Sequence, residues 1–163
     1  MPSVPHLEPV DPAYAERVRA SFARQGLLAH MGAALTLIEP GRVEIALPFR
    51  PEVTQQHGFF HAGAVTTIAD TAAGYAAYTL MPAGSSVLTV ELKINLVAPA
   101  QGERLVARGR VRKAGRTLTV VEAEVVGQQG GAETPVALML ATMICLRDRP
   151  DGPGARPASP GSA

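Results

Sequence analysis

The spacing of apolar residues divides the chain into a short helix, a strand pair, one long helix and a final set of strands. Tyr14, Val18 and Phe22 recur at every fourth position, which predicts an amphipathic helix between Asp11 and Gly26. Asp11 suits the N-cap of this helix and Gly26 its C-terminal stop, and a further helical turn is expected directly after it.

Alternation of apolar and polar residues predicts the strands. A-L-T-L-I-E and R-V-E-I-A-L-P form a hairpin around Pro-Gly, a second hairpin turns near Lys113–Gly115, and V-A-L-M-L-A-T-M-I-C-L closes the set. The alternation favours an antiparallel sheet with one covered face. In V-L-T-V-E-L-K-I-N-L-V it assigns Leu88, Val90, Leu92, Ile94 and Leu96 to one face, and Thr89, Glu91, Lys93 and Asn95 to the other.

The segment from Ala62 to Met81 is apolar nearly all round, so a helix formed there must be wrapped by other elements. One curled antiparallel sheet would do this, which predicts an α+β fold. Residues 1–26 are expected to form an N-terminal segment with a short helix, 27–148 the domain, and 149–163 a disordered tail rich in Pro, Gly, Ser and Ala. The small residues expected to let strands approach the helix are Gly63, Ala69, Ala73, Gly74 and Ala77.

Composition narrows the function classes. A net charge of +1 and the absence of Trp argue against binding to nucleic acid or to an anionic membrane. No Cys/His cluster has metal-ligand spacing, and the single cysteine, Cys145, sits in an apolar run as a buried strand thiol would. The N-terminus lacks the pattern of a signal peptide, so the cytoplasm is the expected location.

A turn with two histidines precedes the long helix, and that helix carries one carboxylate, Asp70. The stretch H-G-F-F-H-A-G-A-V-T-T-I-A-D-T-A resembles the motif of the PaaI-type acyl-CoA thioesterases, named for phenylacetic acid degradation, which have the hotdog fold: a curled sheet around one helix. The similarity extends through V-T-V-E-L-K-I-N-L-V-A-P-A and G-R-T-L-T-V-V-E-A-E-V, over residues 40–147. The resemblance implies hydrolysis of an acyl-CoA thioester.

The resemblance also assigns roles to residues. Asp70 matches the catalytic carboxylate, His61 the motif histidine and Gly63 the second motif glycine, while Ala62 stands where relatives have the first glycine. The added methyl at position 62 leaves the backbone N–H in place. Two further residues fall near positions that relatives place beside the substrate or the carboxylate, namely Gln55 and Thr89.

These residue types suit thioester hydrolysis. Negative charge develops on the carbonyl oxygen, and a helix N-terminus offers free N–H groups and a partial positive charge to stabilise it. Asp70 can activate water as a general base or attack the carbonyl to form an anhydride, and the sequence leaves both routes open.

Spacing along the helix predicts a dimer. Ala62 and Asp70 are eight residues apart, which is roughly 12 Å in a helix, too far for one carbonyl group to contact both. Donors and carboxylate of one site should therefore come from two subunits with antiparallel helices, giving a homodimer with sites at its interface. The resemblance implies further pairing into a homotetramer.

Coenzyme A is then part of the substrate, and no separate cofactor is expected. Its phosphates need cations, and the candidates are Arg110, Arg112, Lys113 and Arg116 around one hairpin, which charge alone would also explain as a solvated loop. Aryl, aryl-acetyl and medium-chain acyl groups all stay open. The alternatives are an acyl-CoA-binding module without catalysis and a hotdog hydratase, whose H-F-x-G-D pattern the sequence lacks.

Overall fold

The computed structural model describes residues 7–153 of the 163-residue chain. Its elements follow the predicted order of a short helical segment, two strands, one long helix and four strands. The helices are α1 (Tyr14–Phe22), α2 (Gly26–Met31) and α3 (Ala62–Tyr78), with a 3-10 turn at Pro51–Val53. The strands are β1 (Ala34–Glu39), β2 (Arg42–Pro48), β3 (Ser86–Leu96), β4 (Arg104–Ala114), β5 (Leu118–Gln129) and β6 (Ala132–Leu146).

The six strands form one antiparallel sheet in the order β1-β2-β4-β5-β6-β3. The sheet curls around α3, which contacts β2 through β6. This is the α+β hotdog architecture that the resemblance implies. Strand β3 lies at one edge and is paired, within residues 7–153, only with β6.

The central helix α3 supplies the core of the domain. Ile68, Ala69, Ala73 and Ala77 are all completely buried, as an apolar helix wrapped by a sheet requires. The predicted packing role is confirmed for the three alanines and is wrong for Gly63 and Gly74. Gly63 is exposed beside the His61 ring, and a Cβ added to Gly74 would meet no atom within 4 Å.

The closest approach of sheet and helix occurs at Gly109 in β4. A Cβ built on this residue would lie 2.7 Å from the Ala73 nitrogen and closer still to the carbonyl group of Ala72. Both atoms belong to the α3 backbone, which cannot move aside as a flexible side chain can. Glycine at 109 therefore fixes the distance between β4 and α3, and an isolated glycine within a strand is the sequence signal for such contact.

We expect Gly109→Ala to lower the free energy of unfolding by about 3 kcal/mol or more, because an overpacked backbone contact cannot relax. Urea unfolding at fixed protein concentration measures this change. Gly74→Ala is the matched control, since Gly74 lies on α3 with free space around it and should retain or gain stability. Equal stability of the two variants would show that the contact at Gly109 is not restrictive.

The predicted division of the β3 residues between two faces of the sheet is wrong. The pairing register shifts between Thr89 and Glu91, and this β-bulge inserts one residue into the alternation. Leu88 and Val90 are therefore more than half exposed, at 56% and 55%, whereas Leu92 and Ile94 pack against the core. Leu96, at the end of the strand, is also exposed, at 51%. The bulge leaves Thr89 on the side of α3.

The N-terminal helices differ from the prediction at their ends. Asp11 accepts a hydrogen bond from the Ala13 amide (2.9 Å) but precedes the N-cap, and Gly26 begins α2 instead of ending α1. The residue that ends this helical pair is Gly32, in the left-handed conformation at φ 76°. The predicted further turn is α2.

The long helix ends at Tyr78, three residues before the predicted Met81. Leu80 and Met81 donate to carbonyls three residues back, as in a tight turn, and Pro82 cannot donate at all. The Arg17 guanidinium of α1 donates to the carbonyls of Pro82 (2.6 Å) and Met81 (2.7 Å) and satisfies this helix end. Helix α1 is thereby tied to the end of α3.

Both chain ends lie partly outside the described residues. The predicted disordered tail falls mainly on residues 154–163, which are outside them. Before that point, Asp151 accepts hydrogen bonds from Arg24 through its carboxylate (2.6 Å) and its carbonyl (2.7 Å). Cys145 is 8% exposed on β6, which confirms the predicted buried thiol.

Among the helices of residues 7–153, none combines the length and apolar character needed to cross a bilayer.

Candidate active site

The turn before α3 is held by its own hydrogen bonds. The Phe60 amide donates to the Ala100 carbonyl (3.0 Å) and the His61 amide to the Val53 carbonyl (2.8 Å). His61 is the N-cap of α3, and its Nδ1 accepts a hydrogen bond from the Gly63 amide at 2.8 Å. An accepting Nδ1 carries no proton, so in this arrangement the proton of a neutral ring is on Nε2. The histidine therefore shapes the helix start.

The two amides predicted as oxyanion donors differ in availability. The Gly63 amide is engaged by His61, whereas the Ala62 amide has no acceptor within residues 7–153. Ala62 is the first residue of α3 and is exposed. Its N–H thus points to a position where the helix dipole also favours negative charge.

A cavity of about 560 Å³ adjoins this helix start. Its walls include the end of β3 and the segment that follows, together with Gln55, His61 and Ala62. The side-chain Oε1 of Gln55 accepts a hydrogen bond from the His57 amide, and the backbone amide of Gln55 donates to the Phe59 carbonyl (2.9 Å). Gln55 therefore stands beside Ala62 on a braced turn, with its side-chain NH₂ group without an acceptor in the described chain.

Asp70 lies on the least buried face of α3 and accepts a hydrogen bond from Thr89. The Thr89 hydroxyl is 2.8 Å from Asp70 Oδ1. Along the same face, the hydroxyls of Thr66, Thr67 and Thr71 donate to carbonyls four residues back, at 2.7–2.8 Å. These hydroxyl protons are engaged within the helix, whereas Oδ2 of Asp70 has no hydrogen-bond donor among residues 7–153 and is available to a ligand.

A second cavity, of about 180 Å³, adjoins Asp70 and shares no lining residue with the first. One chain therefore presents two separate half-sites, a free helix amide in one cavity and a carboxylate in the other.

One edge of the second cavity is a hydrogen-bonded cluster that the sequence patterns did not indicate. Gln25 Nε2 donates to the Tyr75 hydroxyl (2.7 Å), which donates to Ser21 Oγ (3.0 Å). Burial raises the pKa of Tyr75, and the hydrogen bonds with Ser21 and Gln25 oppose this, so the phenol is protonated at neutral pH. A tyrosine within an alanine-rich helix could have indicated such a cluster, because a buried phenol needs a hydrogen-bond partner.

The four basic candidates for phosphate binding lie apart from both cavities. Arg110, Arg112 and Lys113 are exposed near the end of β4 and Arg116 in the turn to β5, and none lines either half-site. Arg112 is paired with Glu122 at 2.9 Å. Within one chain this hairpin is at the C-terminal end of α3, opposite the free helix amide.

We expect Thr89→Val to lower kcat/KM about tenfold for the thioester hydrolysis that the resemblance implies, because the carboxylate loses the hydroxyl that orients it. Thr89→Ser should stay within about threefold of the wild type. Thr142→Val is the matched control on β6, where the hydroxyl donates to Glu91 and neither residue lines a cavity of the site. A valine variant as active as the serine variant, with kcat and KM both unchanged, would exclude a positioning role.

The fold is that of a hotdog protein, and comparisons with known proteins identify its family. The profile of the thioesterase superfamily matches residues 57–134. A crystal structure of a thioesterase family protein from Silicibacter pomeroyi is 49% identical, with a TM-score of 0.81 over 82% of this chain and 98% of that one. The chain belongs to the thioesterase superfamily, a family of thioester hydrolases, as the resemblance implied.

More distant relatives agree with this assignment. The E. coli PaaI protein from the phenylacetic acid degradation operon shares the fold at 21% identity, with a TM-score of 0.72 over 80% of this chain and 91% of that one. The proofreading thioesterase EntH of Klebsiella pneumoniae is 30% identical over 53% of this chain and 58% of its own length. A protein of Saccharolobus solfataricus named as an esterase is 36% identical over 53% of this chain and 61% of its own length.

Proposed function

We propose that this protein hydrolyses acyl-CoA thioesters to the free acid and coenzyme A, with an aryl, aryl-acetyl or medium-chain acyl group. The observation that carries the proposal is the unoccupied Ala62 amide at the N-terminus of α3, together with a hydrogen-bonded Asp70 on the same helix. The first suits a developing oxyanion, and the second suits a base or a nucleophile.

In the proposed reaction, the thioester carbonyl oxygen accepts a hydrogen bond from the Ala62 amide, with the Gln55 side-chain NH₂ group nearby. Asp70 either takes a proton from a water whose oxygen attacks the carbonyl carbon, or attacks that carbon itself. Collapse of the tetrahedral intermediate breaks the carbon–sulfur bond and expels the thiolate, which takes the proton held by Asp70 in the first route and a proton from solvent in the second. In the second route, water then hydrolyses the anhydride and restores the carboxylate. His61 holds the helix start and Thr89 holds Asp70.

The two half-sites become one site if two chains pair. The edge strand β3 is 11 residues long and exposes Leu88 and Val90, and an unpaired apolar edge of this length favours association. Antiparallel pairing of two β3 strands about a two-fold axis sets two α3 helices antiparallel. Each free amide can then approach the partner's carboxylate, which gives a homodimer with two equivalent sites.

The same two-fold axis determines which basic residues can reach the phosphates of coenzyme A. It puts the β4–β5 hairpin of one subunit at the same edge of the joined sheet as the α3 N-terminus of the other. The hairpin that carries Arg110, Arg112, Lys113 and Arg116 could then meet the phosphates, although it is remote from the helix amide within one chain. Among residues 7–153, no lysine or arginine lines the cavity at Ala62, so the proposal needs a cation from elsewhere.

Further association into a homotetramer would cover Leu138 and Leu140, which are 52% and 54% exposed on the outer face of β6. We propose that the protein acts in the cytoplasm on a dissolved acyl-CoA, without a separate cofactor and without binding nucleic acid or membrane.

The test is thiol release from a panel of acetyl, hexanoyl, decanoyl, benzoyl and phenylacetyl thioesters of coenzyme A, with the oligomeric state measured on the same sample. We expect turnover of at least one member by a dimer or tetramer. Tight binding without turnover of any member would instead indicate an acyl-CoA-binding module, and neither binding nor turnover would exclude both functions.

A further inference from the structure

The cavity beside Asp70 extends along α3 in the direction of its C-terminus. Gly74 follows Asp70 by four residues, which is about 6 Å along the helix and on the same face. Tyr75, Val87 and Leu88 add apolar side-chain atoms to walls that also carry polar groups of Gln25, Thr71 and Thr89. A chain or ring attached to a carbonyl group at Asp70 therefore has one direction in which to lie, over Gly74.

Close packing does not explain why residue 74 is a glycine. A methyl group there would meet no atom within 4 Å, whereas glycine inside a helix lowers stability by about 0.5–1 kcal/mol relative to alanine. The missing side chain instead leaves room in the floor of the cavity, immediately beyond the carboxylate.

The far side of the cavity is formed by Gln25, which lies between α1 and α2. Its NH₂ group is held by the Tyr75 hydroxyl, and that hydroxyl is in turn held by Ser21. This arrangement fixes a side chain of an otherwise exposed connection against α3, 50 residues away in sequence. The Gln25 side chain is therefore held in place by hydrogen bonds as one wall of the cavity beside Asp70.

We propose that the acyl group of the substrate lies over Gly74 and ends against Gln25, so that these two residues set the largest acyl group the enzyme accepts. The inference rests on the proposed function and adds its specificity determinants. The coenzyme A arm then occupies the larger cavity at the partner's α3 N-terminus, where Gln55 and His61 supply polar groups for its amides. The roughly threefold smaller cavity, about 180 against 560 Å³, suits the acyl part.

Two variants should shift the acyl preference in opposite directions. Gly74→Ala adds a methyl group to the floor, and we expect it to lower kcat/KM for the longest accepted acyl group by about tenfold or more while acetyl-CoA changes by less than about threefold. Gln25→Ala removes the wall, and we expect the optimum to move to a longer acyl chain. Gly26→Ala is the matched control, because it adds a methyl group next to Gln25 but outside the cavity lining.

The experiment measures kcat/KM for straight-chain acyl-CoA thioesters from two to twelve carbons with all four proteins, after thermal unfolding has established that each is folded. Dissociation constants for the matching S-alkyl-CoA thioethers give a readout that is independent of turnover. Wild-type turnover with the same chain-length profile in Gly74→Ala and Gln25→Ala would overturn the inference alone. If the wild type hydrolysed none of the thioesters, both this inference and the proposed function would be excluded.

Discussion

Asp70→Asn is expected to lower kcat/KM for acyl-CoA hydrolysis by at least about a hundredfold, the largest effect of any side-chain change in the chain. An amide is neither a base nor a nucleophile at neutral pH, and loss of general base catalysis alone costs about 10²–10⁴ in rate. The shape of the side chain is conserved, and the Thr89 hydroxyl can still donate to the remaining carbonyl oxygen. The measurement is thiol release on the best thioester of the panel.

The matched control is Asp151→Asn, which neutralises a carboxylate that is paired with Arg24 and lines neither cavity. Its activity should stay within about twofold of the wild type. Substantial activity in a folded Asp70→Asn protein would mean that another group activates the water. Unchanged binding of a non-hydrolysable thioether by the same variant would assign the defect to the chemical step.

Ala62→Pro is the second large effect that we expect, a loss of about 10²–10³ in kcat. Proline removes the N–H proposed to stabilise the oxyanion, and the structure accommodates it for two reasons. Position 62 is the first residue of α3, where proline is favoured, and His61 already has the extended conformation that a following proline requires, at φ −65° and ψ 140°.

Ala62→Val controls for the bulk of the proline ring, since it widens the side chain and retains the amide. We expect the valine variant to keep at least about a tenth of wild-type kcat. Any further effect of its larger side chain should appear in KM. Equal losses in the proline and valine variants would show that size at position 62 matters and the N–H does not.

Local sequence signals predicted most elements of the fold correctly. The histidine turn marked the start of α3 at Ala62, and alternation placed the hairpin strands β1 and β2, whose Val43, Ile45 and Leu47 are completely buried. The bulge at Thr89 in β3 could not be predicted in this way, because it depends on pairing with β6, and a one-residue shift exchanges the two faces. The predicted end of α1 was wrong, because Gly26 is the first residue of a second helix.

The candidate site was predictable where its residues are close in sequence or belong to the recognised motif. Asp70, His61 and Ala62 are of this kind. The Gln25–Tyr75–Ser21 cluster is different, since its members are up to 54 residues apart and meet only when α1 packs on α3. The hydrogen bond from the Gly63 amide to His61, which leaves the Ala62 amide as the available donor, was also not indicated by any sequence pattern.

In the proposed mechanism, the helix amide and the carboxylate of one site belong to different chains. A heterodimer made from one Asp70→Asn chain and one Ala62→Pro chain, carrying different affinity tags, tests it directly. If each site combines two chains, one site of the heterodimer is intact and the other has both defects, so the purified protein should show about half of wild-type kcat. If each site lay within one chain, both sites would be damaged, and a heterodimer no more active than the two single variants would show that the amide and the carboxylate act within one chain.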